Sequence, residues 1–400
     1  MKLAGRRLIA AMCLGQVANL LPHVTLPAVM ALHLIPAWGL TATQAGIMAS
    51  GYLLGYMVAV PVLTTLTDRV DARSVLLGGS LASGAATVAF GLFADGLVSA
   101  FLLWGLAGLG FAGAYMPGLR ALTDRLDSTD SSRAVTLFTG SFSLGVGLSF
   151  LASQVIADLW GWRAAFAITG AAPLIMVVVA LLLDRRPPSP RKGKLLDFGS
   201  VLRNRPAMGY VLGYGVHCFE LYGFRTWIVA FWAYIILLND GDAIVGPIAV
   251  SVAVTLIALP ASVMGNEAAI RFGRHRAISF VMVASAATAL TIASGVSLPP
   301  MILLVLLTLY AFTLPADSGA LTAGMLASAD PAQRGATMAV HSMVGFALAA
   351  AGSFAVGIAV DLGGGPASME GWRLAFGVMA AAIVLGPLLL AWSRRGSTAG

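Results

Sequence analysis

The sequence predicts an all-α membrane protein that crosses the bilayer many times, and three observations support this fold class. First, 58% of the 400 residues are hydrophobic and only 10% are charged, whereas a soluble domain carries roughly 25% charged residues. Second, apolar runs of about 20 residues, long enough to cross a hydrocarbon core about 30 Å thick, recur along almost the whole chain. Third, these runs lack the alternation of a barrel strand, so their backbone groups must be satisfied within helices.

Twelve such runs predict twelve transmembrane helices. Their expected bounds are 8–32, 41–66, 74–94, 97–122, 131–157, 162–184, 206–238, 243–270, 275–296, 299–325, 332–361 and 371–393. The basic start of the chain could suggest a signal peptide, but the first run continues to about residue 32 without a small-residue cleavage site, so we expect it to be a span. Cys13 and Cys218 both fall in apolar runs, where we expect core residues and no disulfide or metal site.

The basic residues favour one orientation. If both termini are cytoplasmic, 20 of the 24 Lys and Arg residues fall on the inner side, as expected from the enrichment of positive charge in cytoplasmic loops. The exceptions are Arg120, Arg163, Arg225 and Arg373. The net charge of +7 therefore reflects orientation, and no nucleic-acid partner is needed to explain it. We expect a multi-pass protein of a bacterial cytoplasmic (inner) membrane.

The chain contains an internal repeat at an offset near 200 residues. GWRAAF at 161–166 returns as GWRLAF at 371–376, and RAVTLFTGS at 133–141 is matched by RGATMAVHS at 334–342. The basic, proline-containing loop RRPPSPRKGK at 185–194 separates the two copies.

Two repeats of six spans in the same orientation predict two six-helix bundles around a central site. We place the first bundle at 1–186, a cytoplasmic linker at 187–205 and the second bundle at 206–400. This organisation resembles that of the major facilitator superfamily.

The loop after span two strengthens this resemblance. TLTDRVDAR at 65–73 is similar to the family signature of Gly, three residues, Asp, Arg, any residue, Gly, Arg, and Arg or Lys. The matching residues are Asp68, Arg69 and Arg73. The departures are Thr64, Asp71 and Ala72, which replace the first Gly, the second Gly and the first basic residue. The resemblance therefore implies part of the family's charge network at this loop.

This inner charge network is expected to control which side of the protein is closed. We predict that Asp68 interacts with the positive N-terminal dipole of span eleven, which begins near Pro331, and that Asp124 belongs to the same network. In span four, Trp104 stands where many proton-driven family members have Arg. Span five reads GSFSLGVG at 140–147 and lacks the Gly-Pro element of drug/proton antiporters, which weakens a drug-exporter interpretation. Its glycines, like those of 105–113, are better explained by close helix packing than by phosphate binding.

Polar side chains within the spans mark the candidate site, because each is costly in the bilayer unless paired, neutralised or hydrated. Nearly all of them fall in spans one, four, seven and ten, which line the central cavity in the family resembled. They are Gln16, Asn19 and His23 in span one, Arg120 in span four, His217, Glu220 and Arg225 in span seven, and Asp317 in span ten.

Glu220 is the leading candidate for proton coupling. It shares a helix face with His217, one turn away, whereas Arg225 lies about 140° further round, so a bridge from Glu220 to Arg225 is unfavourable. We expect Glu220 to face the cavity opposite Asn19 and His23, and to take up and release a proton. His217 or His23 could share that role, since histidine titrates near physiological pH. The structural alternative is that Glu220 is neutral or bonded to Asn19 and only holds the halves together.

The other polar residues allow two interpretations each. Arg225 is either an anchor for a substrate carboxylate or a partner for an acid on another helix. Arg120 and Asp317 either pair and close the inner mouth or contact substrate. Gln16 and Asn19 are further candidates for the substrate cavity. The aromatic candidates for the cavity are Tyr115, Tyr222 and Tyr310, although packing is the commoner role of such residues.

These residues predict a secondary transporter that works by alternating access, as a proton-coupled symporter of a small organic solute. Arg225 and Arg120 motivate an anionic solute. The alternatives are an exporter of amphipathic, drug-like compounds or, from another class, a non-transporting sensor or a polytopic membrane enzyme, for which no output domain or catalytic cluster is evident. We expect a monomer without enzymatic activity, metal or cofactor, which uses a proton gradient and has the solute and the lipid bilayer as partners.

Overall fold

The structure is a computed structural model. It describes residues 3–126, 128–186, 188, 198–241, 245–330 and 333–394, without the side chains of 128–133. Within these ranges, eleven helices are long and apolar enough to cross a membrane, or twelve if one bent pair is counted as a span. The prediction of an all-α fold with twelve spans is confirmed. Most of the predicted linker 187–205 and the expected start of span eleven at Pro331 lie outside the described residues.

The helices follow the predicted order of spans. Those of the first six spans are α1 (Gly5–Leu20), α2 (Thr25–Val29), a π-helical turn (Met30–Leu34), α3 (Ile35–Trp38), α4 (Ala42–Leu66), α5 (Ala72–Phe93), α6 (Leu97–Thr123), α7 (Ser128–Trp160), α8 (Trp162–Ala171) and α9 (Leu174–Leu182). After the short helix α10 (Gly199–Arg203), the last six spans comprise α11 (Arg205–Leu238), α12 (Pro247–Phe272), α13 (Arg274–Ser294), α14 (Pro300–Thr313), α15 (Ser318–Ser328), α16 (Arg334–Leu362), α17 (Met369–Ile383) and α18 (Leu385–Arg394).

Prolines lie at the breaks within three spans. Span one bends by 47° between α1 and the segment from Thr25 to Trp38, and Pro22 lies in the break. Pro173 separates α8 from α9, and Pro315 lies between α14 and α15. Proline has no backbone N–H and disfavours helical geometry in the residue before it, so each break has a local cause.

The chain forms two compact units. The first contains Met1–Val29 and Gly51–Leu196, and the second contains Met30–Ser50 and Asp197–Gly400. The second unit therefore includes the start of α4. There, Asp361 of α16 accepts hydrogen bonds from the backbone N–H groups of Ala42 at 2.9 Å and Thr43 at 2.7 Å. These N–H groups lie at a helix N-terminus and have no partner within the helix, so Asp361 acts as their cap.

Glycines allow close helix packing in the first unit. On α6, Gly108 lies against the backbone of Tyr52, and Gly110 lies against the backbone of Ser83. A Cβ atom at either glycine would overlap the backbone of the facing helix. The glycine-rich stretch 105–113 is therefore a helix-packing surface, as predicted.

Candidate functional site

Span seven supplies most of the ionisable side chains inside the second unit. Its helix α11 begins after Asn204, whose side chain accepts a hydrogen bond from the backbone N–H of Ala207 and so caps the helix. The helix continues for 34 residues and is apolar on all sides, which is typical of a helix surrounded by others. His217 and Glu220 are 1% and 0% exposed. The helix therefore holds both side chains in the interior of the unit.

Glu220 receives its hydrogen bonds from neutral hydroxyl groups. Ser285 on α13 donates to the Oε1 atom of Glu220 at 2.8 Å, and Tyr310 on α14 donates to the same oxygen at 3.0 Å. The Oε2 atom is buried and has no hydrogen-bond partner among the described residues. A buried carboxylate without a cation is costly as an ion, and protonation removes that cost. This environment suits a group that binds a proton, whereas its position opposite Asn19 and His23 stays a prediction.

His217 forms an ion-pair contact with Asp317. The Nδ1 and Oδ1 atoms are 2.7 Å apart and both side chains are 1% exposed, although the angle departs from that of a good hydrogen bond. Asp317 thus has a partner within its own unit, and the pairing of Arg120 with Asp317, one of the two interpretations of these residues, stays a prediction. Asp317 lies in the break that follows Pro315 and contacts α11, whereas Arg120 bonds Asp68.

A second histidine extends this cluster. Tyr214, one turn before His217 on α11, stacks on the ring of His341 of α16 with centroids 3.9 Å apart, and on the ring of His217 at 5.6 Å. His341 is 6% exposed and was not among the predicted site residues. The sequence could have indicated His341, because it is an ionisable residue within a predicted span and lies in the repeated segment 334–342. The second unit thus groups two histidines and Asp317.

Arg225 contacts an aromatic ring and lines a cleft. Its guanidinium carbon lies 5.2 Å from the centroid of the Tyr222 ring, within the range of a cation–π interaction. The cleft lies between α11, α12 and α14. Tyr222 also packs against Phe346, with ring centroids 5.9 Å apart. The bridge from Arg225 to Glu220 that the helical spacing disfavoured does not occur among the described residues.

Gln16, Asn19 and His23 form a buried stripe in the first unit, with exposures of 0%, 1% and 3%. The Nδ1 atom of His23 lies 3.2 Å from the hydroxyl of Tyr52, and its ring packs edge-on against Tyr52 and Phe142. The amide oxygen and nitrogen atoms of Gln16 and Asn19 have no hydrogen-bond partner in the part of the chain that the structure describes. Buried amides normally bond protein or ordered water, so both stay candidates for contact with a polar solute.

The three tyrosine candidates have different surroundings. Tyr115 stacks parallel to Phe111 and Phe138, with ring centroids 6.2 and 6.3 Å apart, which is the packing role that aromatic residues commonly have. Tyr222 contacts Arg225, whereas Tyr310 is fully buried and donates to Glu220. Tyr310 therefore contacts the candidate site through its hydrogen bond to Glu220.

Charged residues after α4 form a network at the predicted inner side of the first unit. Asp68 accepts a hydrogen bond from Arg120 at 2.9 Å, and Arg120 also lies 3.4 Å from Asp124. Arg73 donates to two carbonyl oxygens near the end of α9 at 2.6 and 3.0 Å. Arg69 is exposed. The predicted contact between Asp68 and the N-terminal dipole of span eleven stays a prediction.

Asp71 is the residue of this network that sequence reasoning missed. It accepts hydrogen bonds from the Arg125 guanidinium at 2.9 and 3.0 Å, and from the backbone N–H groups of Arg73 at 2.9 Å and Arg186 at 2.8 Å. Burial alone would raise the pKa of Asp71, but the Arg186 N–H, the Arg125 guanidinium and the Arg73 N–H together hold this pKa below its ordinary value. The signal was the carboxylate itself, which stands where the family signature has Gly.

Comparisons with known proteins agree with this architecture. The sequence model described as Major Facilitator Superfamily matches residues 12–264. Monocarboxylate transporter 11 of Homo sapiens is 33% identical over 166 residues, which are 39% of this chain and 34% of that protein. The 4-hydroxybenzoate transporter PcaK of Acinetobacter baylyi is 28% identical over 145 residues, which are 36% of this chain and 31% of that protein. These matches span about a third of the relatives' own length.

Solved structures show the same fold over nearly the whole chain. A crystal structure of a bacterial homologue of the human lysosomal transporter Spinster, inward-facing and occupied, matches with a TM-score of 0.76 and 15% identity. The match covers 97% of this chain and 96% of that one. Because the family's sequence model also matches well over half of the 400 residues, this protein belongs to the Major Facilitator Superfamily.

Proposed function

We propose that this protein is a secondary transporter that moves a small organic solute across the membrane by alternating access, and that transport is coupled to protons at Glu220. Family membership supports transport of a small solute. Two relatives are named for small organic acids, a monocarboxylate and 4-hydroxybenzoate, which favours an anionic solute. The proposal includes use of a proton gradient without a bound cofactor, a monomer in a bacterial cytoplasmic membrane, and both termini in the cytoplasm.

The environment of Glu220 carries the coupling part of the proposal. Its carboxyl group is 0% exposed and bonds two hydroxyl groups, those of Ser285 and Tyr310. Protonation makes this group neutral, and ionisation restores a charge that must be rehydrated or paired. A group of this kind can link proton movement to a change in access, since the two forms differ in their need for water.

Proteoliposomes with a pH-sensitive dye test this function. The solutes offered are small carboxylates, amino acids, sugars and lipophilic cations. We expect a carboxylate to cause proton flux in the wild-type protein. In Glu220→Gln this flux should be lower by a factor of at least about ten, because Gln cannot bind and release the proton. Glu370→Gln is the matched control, because Glu370 is exposed and forms an ion pair with Arg373; its flux should equal wild type.

Two results would contradict parts of this proposal. Solute uptake without proton movement, unchanged in Glu220→Gln, would contradict coupling and leave Glu220 a structural residue. Proton flux driven by lipophilic cations and not by carboxylates would favour the exporter of amphipathic compounds.

A further inference from the structure

The cleft beside Arg225 in the second unit has the chemistry of an anion site. Its side chains come from α11, α12 and the end of α14. We propose that this cleft binds the carboxylate of a small monovalent organic acid whose apolar body lies against the cleft wall. This inference rests on the proposed transport function and assigns its solute class and binding site.

The charges of the second unit leave Arg225 available to a ligand. Glu220 bonds hydroxyl groups, Asp317 contacts His217, and Asp361 caps the start of α4. Among the described residues, no carboxylate lies within 4.0 Å of the Arg225 guanidinium. Its contacts are with Tyr222, over whose ring it lies and with whose side chain it also forms a hydrogen bond. A cation within a membrane span is costly without a counter-charge, so an anion that enters the cleft gains a strong electrostatic partner.

The geometry of guanidinium favours a carboxylate. Its planar N–H groups match the two oxygens of a carboxylate and form two parallel hydrogen bonds. The ring of Tyr222 on the same helix restricts the guanidinium through the cation–π contact, which leaves less freedom to be lost on binding. A neutral amide of the same shape lacks the charge and presents one oxygen in place of two.

The wall of the cleft selects an apolar body. Leu221, Phe224 and Ile228 from α11 face Val254 from α12 and Leu314 after α14. Thr255 also lines the cleft, but its hydroxyl donates to the Ser251 carbonyl within α12. Contact with these side chains removes apolar solute surface from water.

Size and charge narrow the class further. The cavity volume of the cleft is about 20 Å³, little more than one water molecule needs, so only a small acid is compatible with it. Arg225 is the one cation among the described side chains that line the cleft, so a second carboxylate would lie against apolar groups without a partner. We therefore expect a monocarboxylate with a short aliphatic or aromatic body.

Equilibrium binding to purified protein, without a membrane or a gradient, tests the inference. Isothermal titration calorimetry compares hexanoate and benzoate with their neutral counterparts hexanamide and benzamide, with acetate, which lacks the body, and with the dicarboxylate adipate. We expect hexanoate or benzoate to bind at least about tenfold more tightly than its amide, acetate or adipate, a difference that corresponds to loss of one charge-assisted contact or of the apolar burial.

Variants locate the site. Arg225→Gln should weaken hexanoate and benzoate binding at least about tenfold, whereas Arg225→Lys should keep part of it because the charge remains. Arg163→Gln is the matched control, since Arg163 donates to the carbonyl oxygens of Gly91 and Ala94 in the first unit; its binding should equal wild type. If Arg225→Gln does not fold, Ile228→Ala provides a second test, with hexanoate affinity lowered and acetate affinity unchanged.

Equal binding of acids and amides to the wild type, or unchanged binding in a folded Arg225→Gln protein, would overturn the inference. Its failure is distinct from failure of the proposed function. Carboxylate binding that persists in Glu220→Gln, in which proton flux is lost, supports both. Carboxylate binding and uptake without proton movement would support this binding site and contradict proton coupling. If a sugar or an amino acid drives proton flux and neither hexanoate nor benzoate binds, proton coupling is supported and this binding site is contradicted.

Discussion

Three ionisable side chains in the stretch 217–225 of one helix have different electrostatic partners. His217 meets the carboxylate of Asp317, Glu220 meets hydroxyl groups, and Arg225 meets the face of an aromatic ring. The contacts of Glu220 come from α13 and α14, whereas Arg225 lines a cleft with α12 and α14. We therefore propose separate residues for proton binding and anion binding, and expect single substitutions to remove one and leave the other.

At the residue scale, Asp71 is predicted to stabilise the first unit through its charge. Its side chain is 14% exposed and that of Arg125 is 4% exposed, so their pairing is shielded from water. Asp71→Asn keeps an oxygen that can cap α5 but loses the charge, and we expect a cost of ~1–3 kcal/mol. Thermal unfolding in detergent should show a lower Tm. The control Glu370→Gln removes an ion pair whose side chains are 57% and 43% exposed, where a change of ~0–1 kcal/mol is expected.

The effect of Asp71 should depend on pH in one direction. Because its pKa in the folded protein is lowered, its stabilisation is present above the ordinary Asp value of about 3.9 and is lost as pH falls through the folded value. The Tm difference between wild type and Asp71→Asn should therefore be constant from about pH 5 to 8 and decrease below about pH 4. A difference that persists undiminished at the lowest pH would contradict a charge-based role.

The sequence identifies the ionisable residues whose burial in a span is costly better than it identifies their partners. Glu220 and His217 are recognisable because an ionisable group in an apolar span is rare and energetically costly, which marks it as a candidate functional residue. Ser285 gives no such signal, since serine is common in membrane helices, and its bond to Glu220 depends on the packing of α13 against the rest of the unit. The contact of Asp317 with His217 was not predicted either, because the spacing of residues does not indicate where a side chain points after the break at Pro315.

At the element scale, hydropathy locates the spans but not their ends or breaks. Span one was predicted at 8–32, whereas its helical segments continue to Trp38 and end before Gly39, whose φ of 59° lies in the left-handed region that favours glycine. The apolar run alone does not reveal the break after Leu20, where the local signal is Pro22. Local backbone chemistry, rather than hydrophobicity, sets both features.

Two glycines on neighbouring helices provide a test of close packing. Gly108 on α6 lies against the backbone of Tyr52, whereas a Cβ at Gly78 on α5 would meet no atom within 4 Å. Gly108→Ala forces the helices apart, and we expect a cost of ~1–3 kcal/mol and a lower Tm. Gly78→Ala should leave Tm unchanged or raise it, since alanine favours helix by up to ~1 kcal/mol over glycine. Equal effects of the two substitutions on thermal unfolding would contradict the packing role of Gly108.

At the scale of the whole molecule, the repeat predicts architecture but not the contacts of each copy. GWRAAF and GWRLAF follow equivalent spans, yet Arg163 donates to carbonyl oxygens at the end of α5, whereas Arg373 contacts Glu370. Trp162 packs against Phe166, and Trp372 against aromatic residues of α11. The two similar segments therefore make different polar contacts, so the repeat does not predict the partners of each copy.

The orientation of the whole chain is a further prediction of its charge distribution. Lys and Arg are concentrated in alternate loops, and such loops are enriched on the cytoplasmic side. Val70 lies in a predicted inner loop and is 37% exposed, whereas Ser297 lies in a predicted outer loop and is exposed. Cysteine introduced at each position reports its side of the membrane, once Cys13 and Cys218, the free cysteines, are replaced by serine.

We expect a membrane-impermeant maleimide to label Ser297→Cys in intact bacterial cells and to label Val70→Cys only after the cells are permeabilised. The Cys13→Ser, Cys218→Ser background without an added cysteine is the control for labelling of other proteins, and proton flux in proteoliposomes shows that each variant is still active. The reverse pattern would place the basic loops outside and contradict the orientation. The concentration of arginine in those loops would then need a cause other than membrane topology, because the cost of moving each positive charge across the bilayer is what makes the pattern predictive.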